Sequence, residues 1–591
     1  MTPPPTTDHR STNPRAWLVA AALSLAVSVA IVAPFFHWGS ASGHDFEFHV
    51  SSWLDVAGQW KEGILFPRWA EWANHGFGEP RFIFYPPLSW MLAPALSSVV
   101  SWPNVPVLFI VLTQTLAGVA AFAFARRLLP QNAAILAAVA YQANPNALLI
   151  VYMRSDFAEL LASVFFPLLF LAALRLTGLL EKGETSKLLA GLVFAVTFAA
   201  VWLSNAPAGV MATYSAALLF AWGAFTEKSW RPIASGAVSM ALGFGLAGFY
   251  LVPAAHEQRW VNINQVLSAG LLPSENFLYT TINDPEHNLF NWIASTAAVV
   301  LMVFTGIAAL AVYRQSGQSD ATDGDRSRVW RVLLLLAAVA TVMMLRPTAI
   351  LWDLLPKLRF VQFPWRWMSI LAVAFAWFVG AAAAKSRLRF VWIAATVTVL
   401  FAAGVFFVRN TWWDSDDVPS LQFGMTHGQG FEGTDEYDPV GDDHYNLPTK
   451  TPQAAITLLP KDAWPTQVGA KGIVERWTAE ERVVRIESPV PVTAAVRLLN
   501  YPAWRFELND REVAPAPAGD TNQIVIELPA GQSVLKIRFV RTLDRTIGVL
   551  LSIISALIAA AGWGFARRKL DLDRNGTYMV DENRSKEILQ S

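Results

Sequence analysis

The chain has 591 residues, of which 54% are hydrophobic and only 15% are charged, and its mean hydropathy is +0.36. This composition excludes a large soluble protein and indicates a polytopic membrane protein. The formal net charge is zero, which predicts no nucleic-acid partner, and the absence of cysteine excludes disulfides, thiolate metal sites and cysteine nucleophiles.

The N-terminal segment predicts a short cytoplasmic tail followed by a membrane span. Residues 1–15 are rich in Pro and Thr and should be disordered. The apolar run over 16–36 is long enough to span a bilayer and lacks the cleavage pattern of a signal peptide. Because Arg10 and Arg15 favour the cytoplasmic side, residues 37–87 should form the first outer loop.

The outer loop carries the stretch in which we expect the chemistry, residues 43–49. Asp45, Glu47 and His49 are the candidate catalytic residues, because a poorly hydrated carboxylate beside a membrane has a proton affinity suited to a general base. If the stretch is helical, Asp45 and His49 share a face; if it is extended, all three side chains point one way. A polar rim at a helix end is the alternative interpretation.

Further apolar runs predict about twelve spans with both termini cytoplasmic. Residues 88–100 are short for a span and should be re-entrant or interfacial. The remaining spans are predicted over 105–125, 132–152, 157–180, 187–204, 208–225, 233–253, 291–312, 329–344, 367–384, 390–407 and 547–565. The transmembrane domain therefore covers residues 16–408, a last helix covers 544–566, and residues 567–591 form a cytoplasmic tail.

Two outer segments precede the last helix. Residues 409–451 form an acidic loop, which either holds a divalent cation or, as we prefer from the spacing of its acids, is simply solvated. Residues 452–543 alternate apolar and polar side chains between turns at 509–510 and 530–531, which predicts a small antiparallel β-sandwich. No cofactor is predicted, and the cation stays an open alternative.

Ionisable and amide side chains at the outer ends of spans are the candidate substrate-binding residues, because burying them is costly. A helix cap explains Asp156 and Asn205 equally well, and an interfacial anchor explains Arg366. The cluster over 256–259 is indistinguishable from a solvated loop. The candidates are Arg68, Arg154, Asp156, Glu159, Asn205, Gln362 and Arg366.

The chain has no phosphate-binding loop of nucleotide hydrolases, no dinucleotide-binding glycine pattern, no GxSxG and no HExxH. Catalysis driven by a cytoplasmic nucleotide is therefore not expected. Carboxylates and arginines on the outer face fit a donor that arrives already activated within the membrane.

The motifs resemble a known family. Residues 44–49, 66–69, 76–80 and 84–87 look like the first outer loop of bacterial membrane proteins labelled 6-pyruvoyl-tetrahydropterin synthase-related, which are similar to GT-C glycosyltransferases. Residues 154–159, 203–205, 363–366, 433–437 and 501–505 also resemble that family's pattern. No histidine cluster supports pterin chemistry.

The resemblance implies a GT-C-like domain in the bacterial inner membrane, a polyprenyl-phosphate-linked sugar as donor, and a catalytic carboxylate in the first outer loop. That carboxylate maps onto Asp45, with Glu47 as the other candidate. Asp45 would deprotonate an acceptor hydroxyl on a glycan, lipid or protein, while Arg366 or Arg154 neutralises the departing phosphate. The alternatives are a non-catalytic transporter or surface-polymer assembly factor of the same fold, and a glycan-binding sandwich on a membrane anchor.

Overall fold

The computed structural model describes residues 14–180, 184–316, 324–384, 386–441, 446–447, 456–460, 469–518 and 521–590. Nearly all of the predicted N-terminal tail, residues 1–13, lies outside these ranges. The same is true of Asp442 and Asp443 in the predicted acidic loop.

Apolar helices make up most of the fold. Within the described ranges, ten helices are long and apolar enough to cross a membrane, and two bent pairs bring the number to twelve if each pair is one span. This confirms the predicted polytopic helical class. The α-helices are α1 (Pro14–Val32), α2 (Phe35–Trp38), α3 (Phe46–Lys61), α4 (Ala73–Gly76), α5 (Arg81–Phe84), α6 (Pro87–Leu96), α7 (Val105–Arg126), α8 (Gln131–Gln142), α9 (Pro145–Leu149), α10 (Phe157–Ser163), α11 (Phe166–Leu176), α12 (Glu184–Ser204), α13 (Ala206–Glu227), α14 (Arg231–Leu246), α15 (Gly248–Glu257), α16 (Pro285–Ser316), α17 (Gly324–Met343), α18 (Ala349–Leu354), α19 (Met368–Ala384), α20 (Arg389–Asn410), α21 (Asp417–Thr426) and α22 (Leu543–Gln590).

Several predicted spans are broken in the structure. The span predicted over 132–152 consists of α8, α9 and a π-helical turn, and the break comes where Asn144 caps α9 by accepting from the Asn146 and Ala147 amides. The span predicted over 233–253 bends by 77° between α14 and α15. Helix α22 begins where the last span was predicted and continues through the predicted tail to Gln590.

The β-sandwich predicted over 452–543 is present, immediately before α22. One antiparallel sheet has the order β3-β6-β10-β9 and the other the order β4-β5-β11-β7-β8. The turn predicted at 509–510 has φ values of +51° and +62°, which the short polar side chains Asn and Asp tolerate. The strands are β1 (Ser40–Ala41), β2 (Trp413–Asp414), β3 (Ile456–Pro460), β4 (Lys471–Trp477), β5 (Glu481–Ser488), β6 (Val492–Leu499), β7 (Trp504–Leu508), β8 (Arg511–Val513), β9 (Ala516–Ala518), β10 (Gln523–Leu528) and β11 (Gly531–Phe539).

The first outer loop is covered by the segments that follow the transmembrane helices. Strand β1 pairs with β2, and Trp69 of the loop packs in the apolar core of the sandwich. The acidic loop is only partly solvated, because Asp438 is buried and accepts a 2.7 Å hydrogen bond from Asn74 of the first loop. Our interpretation of that loop as simply solvated therefore fails for Asp438, whose burial depends on a partner distant in sequence.

Candidate functional site

A set of main-chain hydrogen bonds fixes the start of α3 against the segment between the π-helical turn and α10. The amides of His44 and Asp45 donate to the carbonyls of Met153 and Arg154 at 3.3 and 2.8 Å. Gly43 is needed at this contact, because a Cβ there would lie 2.4 Å from the Met153 carbonyl oxygen. Ser155, with φ of +54°, completes the junction by donating to the Ala41 carbonyl. Asp45 is thereby placed beside Arg154.

Arg154 is the centre of a buried ionic cluster. Its guanidinium lies 2.7 Å from Asp45 Oδ2, 2.7 Å from Glu159 Oε2 and 3.2 Å from Asp156 Oδ2. Asp156 also caps α10 by accepting from the Glu159 amide at 2.8 Å. The capping interpretation of Asp156 and its membership of a charged site are therefore both correct, because its two oxygens serve different partners.

Arg366 is the second cation of the cluster and comes from the turn before α19. Its Nε lies 3.3 Å from Glu159 Oε2, and its Nη2 lies 3.6 Å from Asp156 Oδ2. Its Nη1 donates to the Val361 carbonyl at 2.9 Å and to Gln362 Oε1 at 3.2 Å. The interpretation of Arg366 as only an interfacial anchor is wrong, because its side chain is buried among carboxylates.

The members of the cluster differ in their access to solvent. The side chain of Asp45 is 35% exposed, whereas those of Asp156 and Glu159 are 4% and 1% exposed. Asp45 is therefore the most solvent-accessible carboxylate of the cluster. Three carboxylates face two guanidiniums, so the acidic groups of the cluster exceed its arginines by one.

His49 lies on the same side of α3 as Asp45, so the helical alternative for residues 43–49 holds. The imidazole is buried, with Nε2 3.6 Å from Asp156 Oδ1 and 3.5 Å from the Tyr85 hydroxyl. His49 therefore contacts Asp156 from the buried side of the cluster. Glu47 is exposed and points elsewhere; partial burial and the nearby carboxylates of Asp417 and Glu432 raise its pKa.

Two contacts of the cluster had no sequence signal of their own. The Ser369 hydroxyl donates to Glu159 Oε1 at 3.0 Å and accepts from Asn146 Nδ2 at 3.1 Å. Tyr85 reaches His49 from residues 84–87, which the family resemblance placed in the first outer loop without a role of their own. The ring of Phe363 stacks on the Arg366 guanidinium, with 4.8 Å between the guanidinium carbon and the ring centroid.

Three predicted substrate-binding residues have other surroundings. Arg68 lies in a separate group with Arg545 and Glu257, where burial and the charge of Arg545 lower its pKa to about 10. Asn205 caps α13 by accepting from the Ala208 amide at 2.9 Å, which agrees with the capping alternative. Gln362 borders the cluster through Arg366. The structure thus places Arg68 near Arg545 and Glu257 and not in the cluster around Arg154.

No group of three or more His, Asp or Glu side chains within the described ranges is arranged to hold a metal ion.

The fold is that of a polytopic membrane protein. Its candidate site is a cluster of carboxylates and arginines at the start of α3, in the first outer loop. The family model described as "6-pyruvoyl-tetrahydropterin synthase related domain; membrane protein" matches residues 82–412, which is more than half of the chain. The chain belongs to this family, as the sequence motifs predicted. No curated protein matches.

Among solved structures, the chain is similar to the arabinofuranosyltransferase AftD from Mycobacteria. Over 71% of this chain and 29% of that one, the sequence identity is 18% and the TM-score is 0.39. A mutant of the same enzyme gives 18% identity and a TM-score of 0.37 over 68% of this chain and 28% of that one. The chain spans less than a third of the length of these proteins.

Proposed function

We propose that this protein is a membrane glycosyltransferase of the GT-C type. It transfers a sugar from a polyprenyl-phosphate-linked donor to an acceptor on the extracytoplasmic face, and Asp45 is its general base. The observation that carries the proposal is the position of Asp45. This carboxylate is held by Arg154 through one oxygen, while a third of its side chain is open to solvent.

In the proposed reaction, Asp45 takes the proton of an acceptor hydroxyl as that oxygen attacks the anomeric carbon of the donor. The bond from the anomeric carbon to the phosphate oxygen breaks, and the lipid phosphate leaves with the bonding electrons. Arg154 orients the carboxylate before the reaction, and Arg366 holds Asp156 and Glu159 in place.

The charge of the cluster also suggests when Arg154 assists the leaving group. Before the reaction both guanidiniums are occupied by carboxylates. When Asp45 becomes protonated, Arg154 loses an anionic partner. Its positive charge then becomes available to the departing phosphate, where a guanidinium binds well.

The proposal is tested by donor consumption with the purified full chain in detergent against a panel of polyprenyl-phosphate sugars. Asp45→Asn should lower turnover by about 10²–10⁴-fold, as expected for loss of a general base. Glu47→Gln tests the other candidate carboxylate and should retain most activity. Asp416→Asn, at an exposed acid near the same surface, is the matched control.

If no donor is consumed, or if Asp45→Asn matches the wild type, the catalytic assignment is abandoned. The alternative is then a non-catalytic transporter or assembly factor, to be tested by glycan and lipid binding and by transport. A requirement for a divalent cation is tested in the same assay with a chelator.

We also propose that the protein lies in the bacterial inner membrane with both termini in the cytoplasm. The support is Lys228, which follows α13, and Arg231, the first residue of α14, since basic residues near span ends favour the cytoplasmic side. Because the chain contains no cysteine, single substitutions Lys228→Cys and Glu512→Cys give unambiguous labelling. A membrane-impermeant thiol reagent added to intact spheroplasts should label position 512 and not 228; the reverse pattern contradicts the orientation.

A further inference from the structure

A concave surface lies near the ionic cluster, to which Gln362 links it. A cavity of about 530 Å³ opens between the segment that follows α15, residues 258–265, and the segment that follows α18. The former is held against the acidic loop, because the Asn262 amide donates to the Asp438 carbonyl and the Val440 amide donates to the Trp260 carbonyl, at 2.9 and 3.0 Å. We refer to this surface as the amide cleft.

The amide cleft is cationic, in contrast to the cluster around Arg154. Arg259 and Lys357 both line it, and none of its lining residues that the structure describes is acidic. The Arg259 guanidinium donates to His256 Nε2 at 2.8 Å, and Lys357 Nζ donates to Gln258 Oε1 at 3.3 Å. Neither partner is a carboxylate, so these contacts orient both cations and leave them available to an anion.

The rest of the lining suits a hydroxyl-rich ligand. Carboxamide side chains can both donate and accept hydrogen bonds, which matches sugar hydroxyls. The ring of Phe360 adds one aromatic surface. A volume of this size falls within the range of small-ligand sites. The four carboxamides of the lining are Gln258, Asn262, Asn264 and Gln265.

One residue connects the amide cleft to the cluster. Gln362 Nε2 donates to the Val266 carbonyl, next to the cleft wall, at 2.9 Å, and its Oε1 accepts from Arg366 at 3.2 Å. Its backbone has φ of +62° and ψ of −62°, a strained conformation for a residue with a side chain. The segment that forms the cleft wall is thus linked through Gln362 to the guanidinium that contacts Asp156 and Glu159.

We propose that the amide cleft binds an anionic sugar, with its acidic group between Arg259 and Lys357 and its hydroxyls on the carboxamides. The assignment of this sugar as part of the acceptor rests on the proposed transferase function; the binding itself does not. The same chemistry, a sugar carrying an acidic group, also occurs in the head group of a lipid-linked donor, so the experiment separates these two sources.

Binding is measured by saturation-transfer NMR and calorimetry with the full chain in detergent. The probes are glucuronate and glucose 1-phosphate, with glucose, inorganic phosphate and a polyprenyl-phosphate sugar as comparisons. Both anionic sugars should bind more tightly than glucose or phosphate. Arg259→Gln/Lys357→Gln should weaken their binding by about tenfold or more, because two charge-assisted hydrogen bonds are lost.

The matched control is Arg505→Gln/Lys471→Gln, which removes the same charges from exposed positions of the sandwich and should not alter binding. The conservative pair Arg259→Lys/Lys357→Arg should retain binding, which separates loss of charge from misfolding. Asp45→Asn should bind the anionic sugars normally even where turnover is lost, so failure of this proposal and failure of the transferase proposal are distinguishable.

Three results would overturn the proposal: equal binding by the double variant, equal binding of glucose, or equal binding of inorganic phosphate, which would mean that hydroxyls make no contribution. If only the polyprenyl-phosphate sugar loses affinity in the double variant, the cleft holds the donor and the acceptor assignment is wrong.

Discussion

At the scale of single residues, the site depends on matching charges that are buried together. Sequence position identified most of the ionisable members, since acids and arginines at span ends are costly without a role. The pairing was not predictable, because Asp45, Arg154 and Arg366 are far apart in the chain and are joined only by helix packing. Ser369 gave no signal, because a serine at the start of a helix occurs in many structural settings.

Arg154→Met should be strongly destabilising. It leaves Asp45, Asp156 and Glu159 facing one remaining guanidinium, and removal of one partner of a buried ionic group typically costs about 3–5 kcal/mol. The measurement is thermal denaturation in detergent, with the fraction of protein that stays monodisperse as the readout at each temperature. Arg505→Met, at a guanidinium that is 51% exposed, should change little. A melting temperature equal to that of the wild type would show that the cluster does not contribute to stability.

Asp55 should make stability depend on pH. Burial raises its pKa from 3.8 to about 7, although the Trp72 amide and Gln59 favour the ionised form. Between about pH 4 and pH 7 the folded protein retains a proton that the unfolded chain releases, so this contribution to stability falls as the pH rises. The loss is at most about 1.4 kcal/mol per pH unit for one group.

Asp55→Asn mimics the protonated acid and should remove that part of the slope. Melting temperatures of the variant and the wild type are compared at pH 5 and pH 7.5, and the variant should gain relative stability at the higher pH. Asp416→Asn, at an exposed acid, serves as the control. Parallel pH dependence of Asp55→Asn and wild type would exclude the mechanism. Burial raises the pKa of Glu71 to about 8. This residue should therefore extend the fall in stability to higher pH.

At the scale of elements, hydropathy located the helices well but not their interruptions. Span lengths follow from apolar runs, whereas the break before α9 depends on one cap, and the bend before α15 depends on close packing against α22. A Cβ at Gly245 would lie 2.1 Å from Ser555 Oγ of that helix. The spacing of Trp53 and Val56 is that of one helical face, but it does not show what covers that face. Both side chains are buried in α3, because later segments cover the helix.

Gly43→Ala should displace α3 from its contact with the Met153–Arg154 carbonyls. The new methyl group would overlap main-chain atoms that a side-chain rotation cannot move. Asp45 would then lose its position beside Arg154, so donor turnover should fall by about 10²-fold or more, the scale expected for a misplaced catalytic group. Gly58→Ala, within α3 where a Cβ meets nothing within 4 Å, should leave turnover unchanged. Equal activity of the two variants would show that this junction does not position the base.

At the scale of the whole molecule, the sandwich was predictable because alternation is a local pattern, but its docking was not. The docking depends on a buried contact among α15, α22 and the sandwich, which are distant from one another in the sequence. Glu257 at the end of α15 accepts from Arg545 of α22 through both oxygens, each at 2.7 Å, and from the Tyr501 hydroxyl of the sandwich at 2.6 Å. The sequence showed Glu257 only as part of a cluster that resembled a solvated loop, whereas it is fully buried.

This contact should control how firmly the sandwich is held against the membrane helices. Arg545→Met leaves a buried carboxylate without its cation and should destabilise the docked state by about 3–5 kcal/mol. Tyr501→Phe removes one hydrogen bond to a charged group and should cost about 1.5–3 kcal/mol. Limited proteolysis of the full chain measures release of the sandwich, and both variants should be cut faster, with Arg545→Met the faster of the two.

Arg538→Met is the matched control, because Arg538 pairs with Glu507 on the sandwich surface and is 52% exposed. Exposed pairs contribute about 0–1 kcal/mol, so its cleavage rate should stay close to that of the wild type. If Arg545→Met is also cut at the wild-type rate, the apolar packing of Trp69 against Tyr501 and Trp504 is sufficient to hold the sandwich. The first outer loop would then be fixed mainly by its tryptophan, and the position of Asp45 would depend on apolar burial more than on the buried ion pair.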